Sequence, residues 1–195
     1  MKSAIKTRGR AILSPIARVL AHLGVSPNHL TLLGLVASMG AGVLVACGQF
    51  RFAALALLFG ALCDVLDGSV ARASNRTSVF GAFLDSTVDR FAEMFFLAGL
   101  LVYFSHVEPS TLYALLVFLA AGGSFMVSYT RARAEGLGLT CEVGVMERPE
   151  RVILLLLATL VGAPGIRVAL WILTPLVMWT SVQRMHHVFK ETRTR

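Results

Sequence analysis

Four aspartates lie within stretches that are otherwise apolar enough to cross a membrane: Asp64, Asp67, Asp85 and Asp89. An ionised carboxylate at bilayer depth costs about 2.5–3.5 kcal/mol on insertion scales, so four cost on the order of 10 kcal/mol. Asp64 and Asp67 are three residues apart, and Asp85 and Asp89 are four apart, so each pair shares one face of a helix. The turn predicted between the pairs brings these two faces together.

Carboxylates that converge in this way repel one another unless a cation lies between them. Oxygen ligands without His or Cys favour Mg²⁺, Mn²⁺ or Ca²⁺ over zinc, and four acids can hold two ions, the arrangement that clamps a phosphoryl group. Gly68 and Gly81 leave space for a ligand or a neighbouring helix, and Arg72 lies one helical turn after Gly68, where it can grip a phosphate. The alternative is salt bridges, from Asp64 to Arg72 or from Asp85 to Arg90, which would leave most of the acids unpaired.

The composition indicates that helices in lipid position these acids. Hydrophobic residues make up 56% of the 195 residues, and the mean hydropathy is +0.73, which fits an all-α polytopic membrane protein of one domain, 1–195. Residues 11–23 are too short to span and are interrupted by Arg18 and His22, so they predict a juxtamembrane amphipathic helix. Six transmembrane helices are predicted at 29–47, 52–73, 79–104, 111–134, 150–163 and 166–188.

The net charge of +7 would suggest nucleic acid as a partner of a soluble protein. Here the basic residues flank apolar segments, which indicates membrane orientation and attraction to anionic lipids, so no nucleic acid is expected. With the N-terminus inside, the outer loops carry only Arg51 and Arg167 among the basic residues. We therefore expect a multi-pass protein of the cell membrane with both termini and the four acids on the cytoplasmic side.

The acids belong to a longer pattern that resembles the signature of the CDP-alcohol phosphatidyltransferases, D-x2-D-G-x2-A-R-x8-G-x3-D-x3-D. The resemblance extends over the chain, since the six helices, the N-terminal helix and the SPNHLT segment before the first span (26–31) also look like that family. Every fixed position of the signature is occupied, by Asp64, Asp67, Gly68, Ala71, Arg72, Gly81, Asp85 and Asp89.

This resemblance implies a two-metal phosphoryl transfer. Asp64, Asp67 and Asp85 would bind two Mg²⁺ ions, with Mn²⁺ as a possible substitute, and Asp89 would contact one ion and act as the catalytic general base. Asp89 would take a proton from an alcohol, the alkoxide would attack the lipid-bearing phosphorus of CDP-diacylglycerol, and CMP would leave. The residues implied to contact the CDP-lipid are Pro27, Asn28, Thr31, Gly68, Arg72 and Ser78.

Two later segments, 128–138 (SYTRARAEGLG) and 144–151 (GVMERPER), resemble the phosphatidylinositol-phosphate synthase branch of the family and its archaeal ether-lipid relatives. That branch uses inositol 1-phosphate as the acceptor. It usually has Lys where this chain has Arg131, so a planar guanidinium group replaces a compact ammonium group. The resemblance implies that the acceptor phosphate is bound by Ser128, Arg131, Pro149, Arg151 and Arg184.

Several alternatives remain open at the level of the sequence. Arg133 and Arg148 are interpreted mainly as residues that set membrane orientation. Within the family, a phosphatidylglycerophosphate synthase or an archaeal ether-lipid inositol-phosphate synthase would also take a phosphorylated acceptor. Outside it, membrane acids can mark an ion pathway in a metal or solute transporter, although these acids crowd one side of the bilayer. A homodimer is implied by the resemblance alone.

Overall fold

The computed structural model of this chain describes residues 15–193, and these residues form helices and connecting turns without a β-strand. The predicted basic segment 1–10 and the first residues of the predicted helix 11–23 lie outside this range. We number the helices α1 (15–22), α2 (Pro27–Ala46), α3 (Phe50–Ala73), α4 (Val79–Val102), α5 (Thr111–Glu135), α6 (Arg148–Val161) and α7 (Ala163–Arg193).

Local sequence explains where several of these helices begin and end. Pro27 occupies the first turn of α2, and the preceding Ser26 makes no side-chain capping hydrogen bond. Ser78 caps α4 because its hydroxyl oxygen accepts a hydrogen bond from the Gly81 amide at 2.9 Å. Gly162, with φ +92°, separates α6 from α7. The chain can therefore reverse between α3 and α4 and between α6 and α7.

Five helices in the described range are long and apolar enough to cross a membrane: α2, α3, α4 with the π-helical turn Tyr103–Val107 that extends it, α5 and α7. The remaining predicted span, 150–163, is the fifth in chain order and corresponds to α6, which has 14 residues. At 1.5 Å per residue it is about 21 Å long, less than the hydrocarbon thickness of about 30 Å. The prediction of six spans is confirmed for five helices, and the span predicted at 150–163 stays a prediction.

The helices pack around one large apolar core. α2 packs against α3 and α4, α5 packs against α7, and α6 lies against α3 and α7. The buried side chains at the centre of this core include Leu100, Phe104, Val117, Leu170 and Leu173. A smaller cluster joins α1 to the start of α2 and the end of α3 through Ala17, Leu30 and Val70. The interfacial position predicted for the first helix remains a prediction.

The closest approach of α2 and α4 is made by glycine. A Cβ atom built on Gly99 of α4 would overlap the backbone carbonyl oxygen of Gly42, and one built on Gly42 would lie 2.5 Å from the carbonyl oxygen of Phe95. Since these obstacles are backbone atoms, no side-chain rotation can relieve them. This contact therefore sets the close spacing of α2 and α4 near their C-terminal ends.

Gly99→Ala is expected to lower the free energy of unfolding by about 1–3 kcal/mol, because the added methyl group must push α2 and α4 apart. Gly122→Ala is the matched control, since a Cβ on that helical glycine meets no atom within 4 Å. The control should be neutral or stabilising by up to about 1 kcal/mol through helix propensity. Thermal unfolding of both variants in detergent checks this, and equal melting temperatures would contradict the packing argument.

Candidate active site

Three of the four aspartates converge. One carboxylate oxygen from each of Asp64, Asp67 and Asp85 lies within 4.8 Å of the other two. Asp67 is 4% exposed, and Oδ1 of Asp85 is buried without a hydrogen-bond partner. A buried, unsatisfied carboxylate oxygen beside two other carboxylates is the donor set that a hard divalent cation takes. The residues present therefore fit such an ion.

The start of α2 positions Asp67. The Thr31 hydroxyl donates a hydrogen bond to Oδ2 of Asp67 at 2.6 Å. The same hydroxyl oxygen lies 3.2 Å from the Pro27 carbonyl oxygen, one turn earlier in α2. Thr31 is itself buried. One oxygen of Asp67 is thus tied to α2, and the carboxylate is held in one orientation.

Asp89 lies beside a different partner, Arg148. Nη2 of Arg148 is 2.6 Å from Oδ1 of Asp89, and Nη1 is 2.9 Å from Oδ2 of Asp64. From its sequence position Arg148 is expected mainly to set membrane orientation, and this contact was not predicted. The sequence offered one indication of this contact: Arg148 lies at the end of the polar segment after α5, where the next helix begins.

The two salt bridges considered from the sequence do not form among the described residues. Arg72 donates instead to the Ser69 hydroxyl oxygen at 3.3 Å, and Arg90 donates to the carbonyl oxygen of Ser86 one turn earlier. Asp64 pairs with Arg148. Within residues 15–193 the acids are therefore only partly neutralised by cationic side chains, and no arginine in this range lies within salt-bridge distance of Asp67 or Asp85.

A cavity of about 190 Å³ opens on one side of the acids, between the start of α2, the end of α3 and the start of α4. Asp67 and Asp85 face it. Arg72 does not line it, and Arg76 does. Arg72 lies along Gly68, with Nη1 3.3 Å from the position that a Cβ on Gly68 would occupy. Five of the six residues predicted to contact a CDP-lipid line this cavity: Pro27, Asn28, Thr31, Gly68 and Ser78.

A second cavity, of about 350 Å³, opens on the other side, between α4, α5, α6 and α7. Asp89 and Arg148 face it. All five residues predicted to bind the acceptor phosphate line it: Ser128, Arg131, Pro149, Arg151 and Arg184. The fold thus brings residues of α5, α6 and α7, which are far apart in the sequence, to one cavity.

Two arginines of this second cavity are already anchored by the protein. Arg151 is 1% exposed, and its Nε and Nη2 lie 2.6 and 2.7 Å from the two carboxylate oxygens of Glu93. Its Nη1 donates to the Met146 carbonyl oxygen at 3.2 Å. Arg184 donates from Nε to the Val143 carbonyl oxygen at 2.8 Å. Since a guanidinium has five N–H donors, each arginine keeps donors for an anion.

Arg131 is the more accessible cation of the group. Its side chain is 41% exposed, and its Nε lies 2.8 Å from Oε1 of Glu135. This ion pair joins residues four apart in α5, whereas Arg151 pairs with Glu93 of a different helix, a contact that the sequence did not predict. Glu93 lies one helical turn beyond Asp89, within the apolar part of α4, and no fixed spacing in the sequence links it to Arg151.

The arrangement has the parts of a phosphoryl-transfer site. The three carboxylates that fit a divalent ion lie between the two cavities, because Asp85 faces the first and Asp64 contacts an arginine that lines the second. Asp89 faces the second cavity, where it is placed to accept a proton from a group bound there. A donor phosphate on one side and an acceptor on the other would meet at the acids.

Comparisons with known proteins agree with this geometry. The sequence profile of the CDP-alcohol phosphatidyltransferase family matches residues 24–183. An archaetidylinositol phosphate synthase of Pyrococcus horikoshii is 35% identical over an alignment that covers 97% of each chain. A phosphatidylinositol phosphate synthase of Streptomyces avermitilis is 38% identical, over 93% of this chain and 79% of its own length.

The fold is also similar to a solved structure. The crystal structure of Mycobacterium tuberculosis phosphatidylinositol phosphate synthase with CDP-DAG bound matches with a TM-score of 0.85 and 34% identity, over 92% of this chain and 94% of that one. The same protein in complex with manganese and citrate matches with a TM-score of 0.85, over 90% of this chain and 88% of that one. With the signature, the two cavities and a family match over most of its length, this chain belongs to the CDP-alcohol phosphatidyltransferases and is a multi-pass membrane enzyme.

Proposed function

We propose that this enzyme transfers the phosphatidyl group of CDP-diacylglycerol to inositol 1-phosphate, giving phosphatidylinositol phosphate and CMP. The observation that carries the proposal is the pair of cavities on either side of the acids, one lined by signature residues and the other by arginines. A neutral acceptor such as free inositol would not require three arginines. The names of the similar proteins from Streptomyces and Mycobacterium support the same acceptor.

The acids are proposed to hold two Mg²⁺ ions, with Mn²⁺ as a substitute. Asp64, Asp67 and Asp85 supply the converging oxygens, and Asp89 contributes one more ligand once it separates from Arg148. The Mycobacterium protein has been crystallised with manganese, which supports a divalent ion here. When bound, such ions stabilise the charge that develops on the phosphoryl oxygens.

The protein side chains divide the remaining tasks. Asn28, Gly68 and Ser78 line the cavity for the CDP moiety, Arg72 lies beside it along Gly68, and Thr31 holds Asp67. Asp89 accepts the proton of the acceptor hydroxyl as that oxygen attacks phosphorus. Arg131, Arg151 and Arg184, together with Ser128 and Pro149, hold the acceptor phosphate in the second cavity.

The proposed membrane placement follows the distribution of charge. Residues 1–195 form a single membrane domain with α1 at the interface, α2 to α7 as six spans, and both termini and the active site in the cytoplasm. The basic residues around the acceptor cavity support this side, since Arg51 lies at the opposite end of α3 from the acids. We propose that the enzyme is surrounded by membrane lipids and forms a homodimer.

Two related reactions would also fit the two cavities. Glycerol 3-phosphate also carries a phosphate, so a phosphatidylglycerophosphate synthase would suit the arginine cavity. The similar archaetidylinositol phosphate synthase favours a variant with ether-linked tails and the same headgroup. The transporter alternative is not supported, because the chain belongs to a family of transferases.

An assay of the purified enzyme tests the proposal. CDP-diacylglycerol and its ether-linked counterpart are each offered with inositol 1-phosphate, free inositol, glycerol 3-phosphate and serine. We expect lipid product and CMP with inositol 1-phosphate only. Use of free inositol as efficiently as of its phosphate would overturn the acceptor assignment, and a preference for glycerol 3-phosphate would establish the first related reaction instead.

Arg131→Ala is expected to raise the KM for inositol 1-phosphate by about ten- to a hundredfold, because a charge-assisted contact to phosphate contributes roughly 1.5–3 kcal/mol. The KM for CDP-diacylglycerol should change little, since Arg131 does not line the other cavity. Arg133→Ala is the control, because Arg133 is exposed on the same helix. Steady-state kinetics with each substrate varied in turn decide, and a loss confined to CDP-diacylglycerol would contradict the assignment.

Arg151 is less suited to this test. Its removal would leave the Glu93 carboxylate, 9% exposed, without its partner. Breaking a buried ion pair typically destabilises a protein by about 3–5 kcal/mol, so a loss of activity would not report on the acceptor alone.

A further inference from the structure

Arg148 lies where the acids meet the acceptor cavity. Its Nη1 is 2.9 Å from Asp64 and its Nη2 is 2.6 Å from Asp89. The two acids come from α3 and α4, whereas Arg148 is the first residue of α6. One cation therefore joins three helices at the proposed site of chemistry, and it occupies two of the carboxylates that the proposed function gives to metal ions.

This guanidinium and a divalent ion would compete for Asp64. Asp64 supplies one oxygen to the group of three carboxylates that lie within 4.8 Å of one another. A doubly charged ion bound there would be a few ångströms from Arg148, so the two cations would repel and would draw on the same carboxylate. Ion binding must therefore weaken the hold of Arg148 on Asp64 and, through the same side chain, on Asp89.

The surroundings of Arg148 indicate where it can move. It lines a narrow space of about 40 Å³ beside Asp64 and Asp89, which has room for a few water molecules. It also lines the acceptor cavity of about 350 Å³. Its Nε is buried without a hydrogen-bond partner, so its present position leaves a charged donor unused. The acceptor cavity has the space for the displaced guanidinium.

We propose that Arg148 couples ion binding to acceptor binding: without an ion it neutralises Asp64 and Asp89, and with an ion it turns into the acceptor cavity and binds the acceptor's phosphate. The identity of that acceptor rests on the proposed function. The same movement frees Asp89 to accept a proton only when the ion is in place. Acceptor binding should therefore be tighter after ion binding.

The first test measures ion binding to the full-length protein in detergent by electron paramagnetic resonance of Mn²⁺. Arg148→Gln removes the competing cation and is expected to tighten Mn²⁺ binding by about 5- to 150-fold, the usual range of coupling between two sites. Arg133→Gln is the control: it removes an exposed arginine near the C-terminal end of α5 and should leave Mn²⁺ affinity unchanged. Unchanged or weaker Mn²⁺ binding in Arg148→Gln would overturn the proposal.

The second test measures the coupling itself. Inorganic sulfate serves as a phosphate mimic, and its affinity is measured by calorimetry with and without Mn²⁺. Mn²⁺ should tighten sulfate binding in the wild type more than in Arg148→Gln, because the variant has no guanidinium to move. An equal effect of Mn²⁺ in both proteins would show that Arg148 carries no coupling.

If Arg148→Gln does not fold, Arg148→Lys replaces it. Lysine keeps the charge but lacks the fork that bridges two carboxylates. It should also tighten Mn²⁺ binding, and an unchanged affinity would again overturn the proposal. These measurements record binding, whereas failure of the proposed function would show only in the transfer assay with CDP-diacylglycerol and inositol 1-phosphate. The two failures can therefore be told apart.

Discussion

Asp89→Asn is expected to slow transfer by about 10²–10⁴-fold, the range usually lost with a general base. Asparagine keeps the shape of the side chain but cannot accept the acceptor's proton, and it also removes the negative charge that faces Arg148 at 2.6 Å. CDP-diacylglycerol binding should survive, because Asp89 does not line the cavity proposed for the CDP moiety. Turnover and lipid binding are measured separately on the purified variant.

The comparison with Asp67→Asn sharpens this prediction. Asp67 faces the CDP cavity, belongs to the group of three converging carboxylates and accepts a hydrogen bond from Thr31. Its replacement should therefore weaken Mn²⁺ binding and CDP-diacylglycerol binding together with turnover. Near-normal turnover in Asp89→Asn would remove Asp89 from the role of base, whatever the Asp67 variant shows.

The spacing of the acids carried most of the information about the site. Because residues three or four apart share a helical face, the positions of the aspartates predicted that carboxylates from two helices would converge. The structure brings Asp64, Asp67 and Asp85 together in this way. The turn between the helices was also predictable, since ASNRTS (73–78) interrupts two long apolar segments.

Contacts between distant positions could not be predicted in the same way. Arg148 is 84 residues from Asp64, and Arg151 is 58 residues from Glu93. Helical periodicity relates residues within one helix, so it cannot show which arginine of a later helix will reach a given acid. The distribution of basic residues along the chain predicts only a membrane orientation, and that orientation by itself says nothing about which arginine contacts which acid.

The placement of Arg72 shows how a helix end decides which side chain faces a cavity. α3 ends at Ala73, and Asn75 then adopts φ +52°, in the left-handed region. This turn leads the chain back so that Arg76 lines the first cavity, whereas Arg72 stays on the helix beside Gly68. The sequence indicated a turn here but not its backbone conformation, on which the choice between the two arginines depends.

Exhaustive chelation of divalent ions is expected to abolish turnover, and Mg²⁺ or Mn²⁺ should restore it. The group of converging side chains offers only carboxylate oxygens, which are hard ligands, and Asp85 has a buried oxygen without a hydrogen-bond partner. The fold itself should survive chelation, because Arg148 still bridges Asp64 and Asp89 and Thr31 still holds Asp67.

Activity and thermal unfolding, measured on the same chelated sample, separate these two effects. A protein that is folded but inactive, and that recovers with Mg²⁺ or Mn²⁺, is the expected result. Unfolding on chelation would mean that the ions, and not Arg148 and Thr31, hold the acids in place. Full turnover after exhaustive chelation would contradict a metal-dependent transfer altogether, because four carboxylates without an ion would oppose the approach of an anionic phosphoryl group instead of stabilising it.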